Sequence, residues 1–149
     1  MITIVFAHPW HGSFNHAILD AITHKLDNEE LPYQNIDLSA EKFNPAMTTD
    51  DLLPASLKGF FDKVLLRGSA FNYDKNGNMI PGLKISRSLI ITTSQGETEI
   101  YRSFMEGYLI PYLLNAVGIC GNEWHNCQYT SHGPRSNRED FLKRIVELV

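Results

Sequence analysis

The sequence predicts an α/β protein with a parallel sheet covered by helices on both faces. Apolar runs rich in β-branched residues occur at 1–7 and 88–93, and each passes through a small polar turn into a helical pattern. Strands that alternate with helices need crossover connections, which specify parallel pairing. With 149 residues the chain reads as a single domain over 1–149, large enough to bury about two-thirds of its unfolded surface.

The first strand, residues 1–7, stops at His8-Pro9, because proline cannot donate to a sheet ladder. Residues 12–15, Gly-Ser-Phe-Asn, form a turn, and a helix begins at His16 with Phe14, Ile18, Ala21, Ile22 and Leu26 on one apolar stripe. Such a turn aims unpaired backbone N–H groups at one point and suits the phosphate of a nucleotide or flavin, with Ser13 and Asn15 as added donors and caps. Residues 33–38 make a second strand, and 39–53 read as loop around Pro45 and Thr48-Thr49-Asp50-Asp51. Pro54 opens a helix over 55–67, with Leu57, Phe60, Phe61, Val64 and Leu65 inward and Gly68 as C-cap. Asn76-Gly77 marks a tight hairpin. After the strand at 88–93 and a second strand-to-helix turn at 94–97, residues 99–117 are helical, kinked or divided by Pro111. A last strand covers 124–130. Ser136-Asn137-Arg138-Glu139 reads as a capping box for a final helix with Phe141, Leu142, Ile145 and Val146 inward.

The composition, 43% hydrophobic and 20% charged, is that of a globular protein, and the net charge of -4 leaves no basic stripe for a nucleic-acid partner. The opening apolar run is too short for membrane insertion and lacks a signal peptide's basic flank, so a cytoplasmic location is expected. Cys120 and Cys127 have neither redox nor zinc spacing and read as reduced thiols. His8 and His11 lack a third ligand at fixed geometry, so no metal site is assigned. In a parallel sheet, ligands bind beyond the carboxyl ends of the strands, where the turns at 8–15 and 92–97 are both expected.

The ordered residues His8-Pro9, Ser13-Phe14-Asn15, the stretch 54–65 (Pro-Ala-Ser-Leu-Lys-Gly-Phe-Phe-Asp-Lys-Val-Leu) and Gly68-Ser69-Ala70-Phe71-Asn72-Tyr73 resemble the NAD(P)H:quinone oxidoreductase family, and Thr92-Thr93, Gly96 and Tyr101 extend the match. The resemblance implies a flavodoxin-like three-layer sandwich, FMN or FAD as cofactor and NAD(P)H as electron donor. It also implies a quinone-like acceptor and a homodimer. Carried onto this chain, it places His8, Ser13, Phe14 and Asn15 at the flavin phosphate or pyrophosphate. Thr92, Thr93 and Gly96 would approach the isoalloxazine ring or ribityl chain, Tyr101 would lie over the ring as the catalytic residue, and Arg138 would contact the cofactor. Phe14 also reads as a core staple beside a helix start.

One departure stands out. The family carries a further helix and strand, ending in an aromatic-rich loop, before the segment matching Pro54-Ala55; here Asp50-Asp51-Leu52-Leu53 runs directly into Pro54. With that central strand gone, four strands in the order 2-1-3-4 are expected, or a second chain fills the gap by exchange. The same loss leaves three functional expectations: a quinone-reducing flavoenzyme with weakened flavin affinity, a non-catalytic binding or regulatory protein that lost a pocket wall, or a degenerate fragment with no activity.

Overall fold

In the computed structural model, residues 1–41 and 55–149 are described. They form two compact units, Met1–Phe61 with Pro134–Val149, and Asp62–Gly133. Residues 42–53 of the loop expected over 39–53, and the helix-opening Pro54, fall outside the described residues.

The first unit contains β1 (Ile2–Phe6), α1 (Phe14–Asn28), β2 (Tyr33–Asp37) and α5 (Arg135–Leu148). β1 and β2 run parallel from Ile2 opposite Tyr33 to Phe6 opposite Asp37, with α1 as the crossover. Ile18, Ile22 and Leu26 are buried along α1, and Phe141 and Ile145 along α5, which is the apolar spacing expected of each helix. Lys25 Nζ donates to the Val146 carbonyl at 2.9 Å and ties the end of α5 to α1. The expected capping box at Ser136–Glu139 does not form. Pro134, in extended conformation, takes the N-cap position without a side-chain bond, so Ser136 already lies inside the helix. Glu139 instead accepts from Arg135 Nε at 2.7 Å, one turn back.

α2 (Ala55–Val64) leads into the second unit and ends before the expected Arg67. Val64, expected inward, is 42% exposed. The Leu66 carbonyl accepts from the N–H groups of Ser69 and Ala70, and Gly68 adopts the left-handed conformation with φ 88°. β3 (Phe71–Tyr73) and β4 (Met79–Pro81) form the expected hairpin. Its loop is longer than an Asn-Gly turn alone, because the Asp74 carboxylate organises five residues: it accepts from the N–H groups of Asn76 and Asn78, each at 2.8 Å, and from Asn78 Nδ2 at 2.9 Å. The side-chain and backbone bonds from Asn78 hold its pKa below the ordinary aspartate value.

β5 (Ser88–Thr93) and β6 (Asn122–Cys127) pair in parallel, Ser88 opposite Asn122 and Thr93 opposite Cys127. Their crossover is α3 (Thr98–Phe104), a π-helical segment (Met105–Leu114) and α4 (Asn115–Val117). Pro111 lies inside the π segment, so the expected division of the helix takes the form of widened turns. The buried residues there, Met105, Leu109 and Leu114, are spaced by four and then five positions, as wider turns require.

The α/β class and the parallel pairing are those expected. The sheet of four strands in the order 2-1-3-4 is corrected: β1–β2, β3–β4 and β5–β6 are each separate two-stranded sheets among the described residues. Among the described residues β1 pairs with β2 alone, and Ile2 and Val5 are 36% and 37% exposed.

Gly118 closes α4 with φ 94°, and a Cβ there would collide with the Leu83 carbonyl. Gly77 has a similar φ of 83° but open space around it. Gly77→Ala is therefore expected to cost about 1 kcal/mol, the left-handed penalty alone, and Gly118→Ala at least about 2 kcal/mol more. Urea unfolding of both variants checks the difference; equal losses would contradict the close approach.

Candidate functional site

In the first unit, the turn from His8 to Ser13 is assembled from its own backbone. Trp10 N donates to His8 Nδ1 at 3.3 Å, and Ser13 N donates to the Trp10 carbonyl at 3.1 Å. Ser13 is the N-cap of α1, buried, and its Oγ accepts from His16 N at 3.2 Å. The N–H groups of His11, Gly12 and Phe14 donate to no group among the described residues. Unused donors at the start of a 15-residue helix are what an anion requires. The Trp10 indole lies on the turn at Gly12: a Cβ there would sit 2.7 Å from its Cζ2, so the exposed indole would have to shift.

The structure sorts the expected residues of this turn. His8 and Ser13 belong to it, and Asn15 is half-buried in the first turn of α1. The Phe14 ring lies 6.3 Å from that of Phe141 on α5, a packing position as in its core reading. Arg138 is half-buried near the start of α5. Nothing in the sequence pattern marks His16 beyond its place at the helix start. It is buried with its ring edge-on to Phe6 at 4.6 Å and beside His11, also at 4.6 Å.

In the second unit, the turn after β5 is held by a polar network. Trp124 Nε1 donates to Thr92 Oγ1 at 2.9 Å, and Thr92 Oγ1 donates to Asn126 Oδ1 at 2.9 Å. Asn126 Nδ2 reaches Ser94 Oγ at 2.9 Å and Thr98 Oγ1 at 3.0 Å, and Ser94 Oγ donates to the Gly96 carbonyl at 2.8 Å. Gln95 binds Thr130 and Ser131 across the gap between the two strand ends. Tyr129 donates to Glu97 at 3.0 Å, a bond that raises the phenol pKa. Thr92 therefore uses its hydroxyl inside the network. Thr93 follows at the carboxyl end of β5, half-buried opposite Cys127. Gly96 and Tyr101 are brought together: a Cβ on Gly96 would lie 3.3 Å from the Tyr101 hydroxyl. Asn126 and Ser94 were not singled out in the sequence as site residues: Asn126 stands opposite Thr92 in the ladder, and Ser94 lies just beyond the end of β5.

A parallel strand that leads through a polar turn into a helix is present in each unit, the connection of an α/β protein. The chain belongs to the family described by the flavodoxin-like fold, whose model matches residues 52–148. It is 24% identical to the Escherichia coli (strain K12) protein named Uncharacterized NAD(P)H oxidoreductase YcaK, over 87% of this chain and 91% of that one. The alignment runs over 182 positions, more than the 149 residues of this chain, so that relative carries segments with no counterpart here. Among solved structures, Smu.1420 from Streptococcus mutans UA159 matches with a TM-score of 0.83 and 22% identity, covering 99% of this chain and 97% of that one. The NAD(P)H:quinone oxidoreductase from Methanothermobacter marburgensis matches with a TM-score of 0.79 and 21% identity, covering 98% and 95%.

Ser13→Ala is expected to remove the α1 cap and lower the unfolding free energy by about 1 kcal/mol. Urea unfolding followed by circular dichroism measures it; an unchanged midpoint would show that the cap contributes nothing.

Proposed function

We propose that the chain is a flavin-dependent NAD(P)H oxidoreductase that reduces quinones or similar two-electron acceptors by hydride transfer, with residues 1–149 working as one flavodoxin-like domain in the cytoplasm. The observation that carries the proposal is the set of unused N–H donors at the start of α1, in a chain of this family. That donor set fits the phosphate of FMN or the pyrophosphate of FAD. The names of the E. coli and M. marburgensis proteins support the reaction class.

In this proposal His8, Ser13 and Asn15 hold the phosphate end, and Phe14 supports the turn from its packing position. Thr92, Thr93 and Gly96 approach the ring or ribityl chain, and Arg138 contacts the cofactor. Tyr101 is the catalytic residue, its hydroxyl positioned by Gly96. A bound flavin supplies the hydride chemistry. The residues of this chain orient the ring, and fixed donors favour negative charge on it. Ile100, Tyr108 and Tyr112, which are 67%, 60% and 71% exposed, form an apolar stripe along the crossover helix. A homodimer built on that stripe accounts for its exposure.

A second reading is favoured by one observation, the surplus of aligned positions in the E. coli relative. The chain would then be a non-catalytic flavodoxin-like binding or regulatory protein that has lost part of the flavin pocket.

Titration of the purified protein with FMN and FAD, followed by flavin fluorescence, and NADH or NADPH consumption with menadione separate the two. The enzyme proposal expects saturable binding and turnover, with Tyr101→Phe lowering kcat about 10-fold or more. Flavin binding without turnover favours the second reading, and absence of flavin binding overturns both cofactor roles. For the dimer, light scattering should give twice the 16.9 kDa chain mass for the native protein and the monomer mass for Tyr108→Glu; a native monomer would exclude it.

A further inference from the structure

We propose that Asn76 is a self-modification site: its side-chain amide is lost through ring closure with the Gly77 nitrogen, at a rate set by the hydrogen bonds of the Asp74 loop. Asn76-Gly77 is the one Asn-Gly step in the chain. It lies in the loop between β3 and β4, and both residues are exposed. The Asn76 side chain bonds to no group among the described residues, whereas the side-chain nitrogen of Asn78 is held by Asp74 Oδ2 at 2.9 Å. Gly77 has φ 83° and nothing within 4 Å of the place a Cβ would take, so no side chain shields its nitrogen. Asn78 is followed by Met79, whose side chain crowds the equivalent nitrogen.

The chemistry needs only water. Gly77 N gives its proton to solvent base and attacks Asn76 Cγ. The new N–Cγ bond closes a cyclic imide, the Cγ–Nδ2 bond breaks, and the side-chain nitrogen leaves as ammonia. Water then opens the ring. Opening at Cγ leaves aspartate in an ordinary peptide bond. Opening at the main-chain carbonyl leaves isoaspartate, with the chain running through Cγ and a free α-carboxylate. An amide and a water enter, a carboxylate and an ammonium leave, and nothing is oxidised or reduced.

The native loop opposes ring closure. Gly77 N–H donates to the Asp74 carbonyl at 3.1 Å, so the proton that must leave is already engaged. Asp74 Oδ1 fixes the rest by accepting from Asn76 N and Asn78 N, each at 2.8 Å. The reaction therefore waits for the loop to open. That opening is local, because the hairpin holds only the pairs Phe71–Pro81, Asn72–Ile80 and Tyr73–Met79. Once made, the carboxylate at position 76 repels that of Asp74, and isoaspartate also lengthens the main chain by a methylene. The change is one-way and records the age of the chain.

The native protein and a free peptide of residues 71–81 are aged side by side in neutral buffer at physiological temperature. Brief peptic digestion at acidic pH, followed by mass spectrometry, locates the change. A gain of about 1 Da is expected at Asn76 and none at Asn78, with isoaspartate the major product. The protein is expected to react about 10-fold more slowly than the peptide, because its loop bonds favour the closed form. Asp74→Ala should speed the reaction about 3-fold or more without changing the circular dichroism spectrum. Asn78→Ala, which removes only the side-chain bond to Asp74, should speed it by less. Gly77→Ala should slow it about 10-fold although it strains the loop, since a methyl group hinders the attacking nitrogen and a merely loosened hairpin would react faster. Asn76 still intact long after the peptide is converted, an equal gain at Asn78, or an unchanged rate in both Asp74→Ala and Asn78→Ala overturns the proposal.

Discussion

A parallel ladder cannot be closed by a hairpin, and that constraint organises each unit of this protein. β1 and β2 are joined through α1, and β5 and β6 through α3, the π segment and α4. Each crossover starts where a strand ends, so a turn arises at the carboxyl end of β1 and again of β5. Every candidate functional group except Arg138 lies on or beside one of those two turns. The chemistry follows from the connection as much as from the side chains.

The two turns solve the same problem differently. The one before α1 leaves donors unused and surrounds them with imidazoles and a capping serine. The one after β5 satisfies its polar groups internally through Thr92, Ser94, Asn126 and Gln95. A satisfied network is rigid, because displacing one member leaves others without partners. The first turn therefore keeps amide donors open, whereas the second holds backbone and the Gly96–Tyr101 pair in place.

Much of this was legible in the sequence. The β-branched runs placed β1 and β5, the apolar stripes identified the buried faces of α1 and α5, and Ser13 announced the cap. Misreadings arose where local signals compete. Ser136-x-x-Glu139 has the pattern of a capping box, yet Pro134 suits the N-cap position and Arg135 captures the glutamate. Asn76-Gly77 indicates a two-residue turn, yet Asp74 gathers a wider loop. Strand adjacency within each parallel pair could be inferred from alternation, but the number of strands in a sheet depends on long-range ladders that no local pattern encodes. The histidine cluster was invisible for the same reason, since the turn brings His8 and His11 onto a helix residue.

The π segment around Pro111 bears on how this chain should be matched to its relatives. A widened turn absorbs an extra residue without interrupting the helix. Buried positions advance from 105 to 109 to 114, out of step with ordinary helical periodicity. A residue-by-residue alignment drawn through this stretch on α-helical spacing will slip by one position, pairing a core residue here with a surface residue elsewhere. Equivalent side chains beyond it are better anchored on Gly118, whose left-handed backbone and close neighbour fix one point that cannot slide.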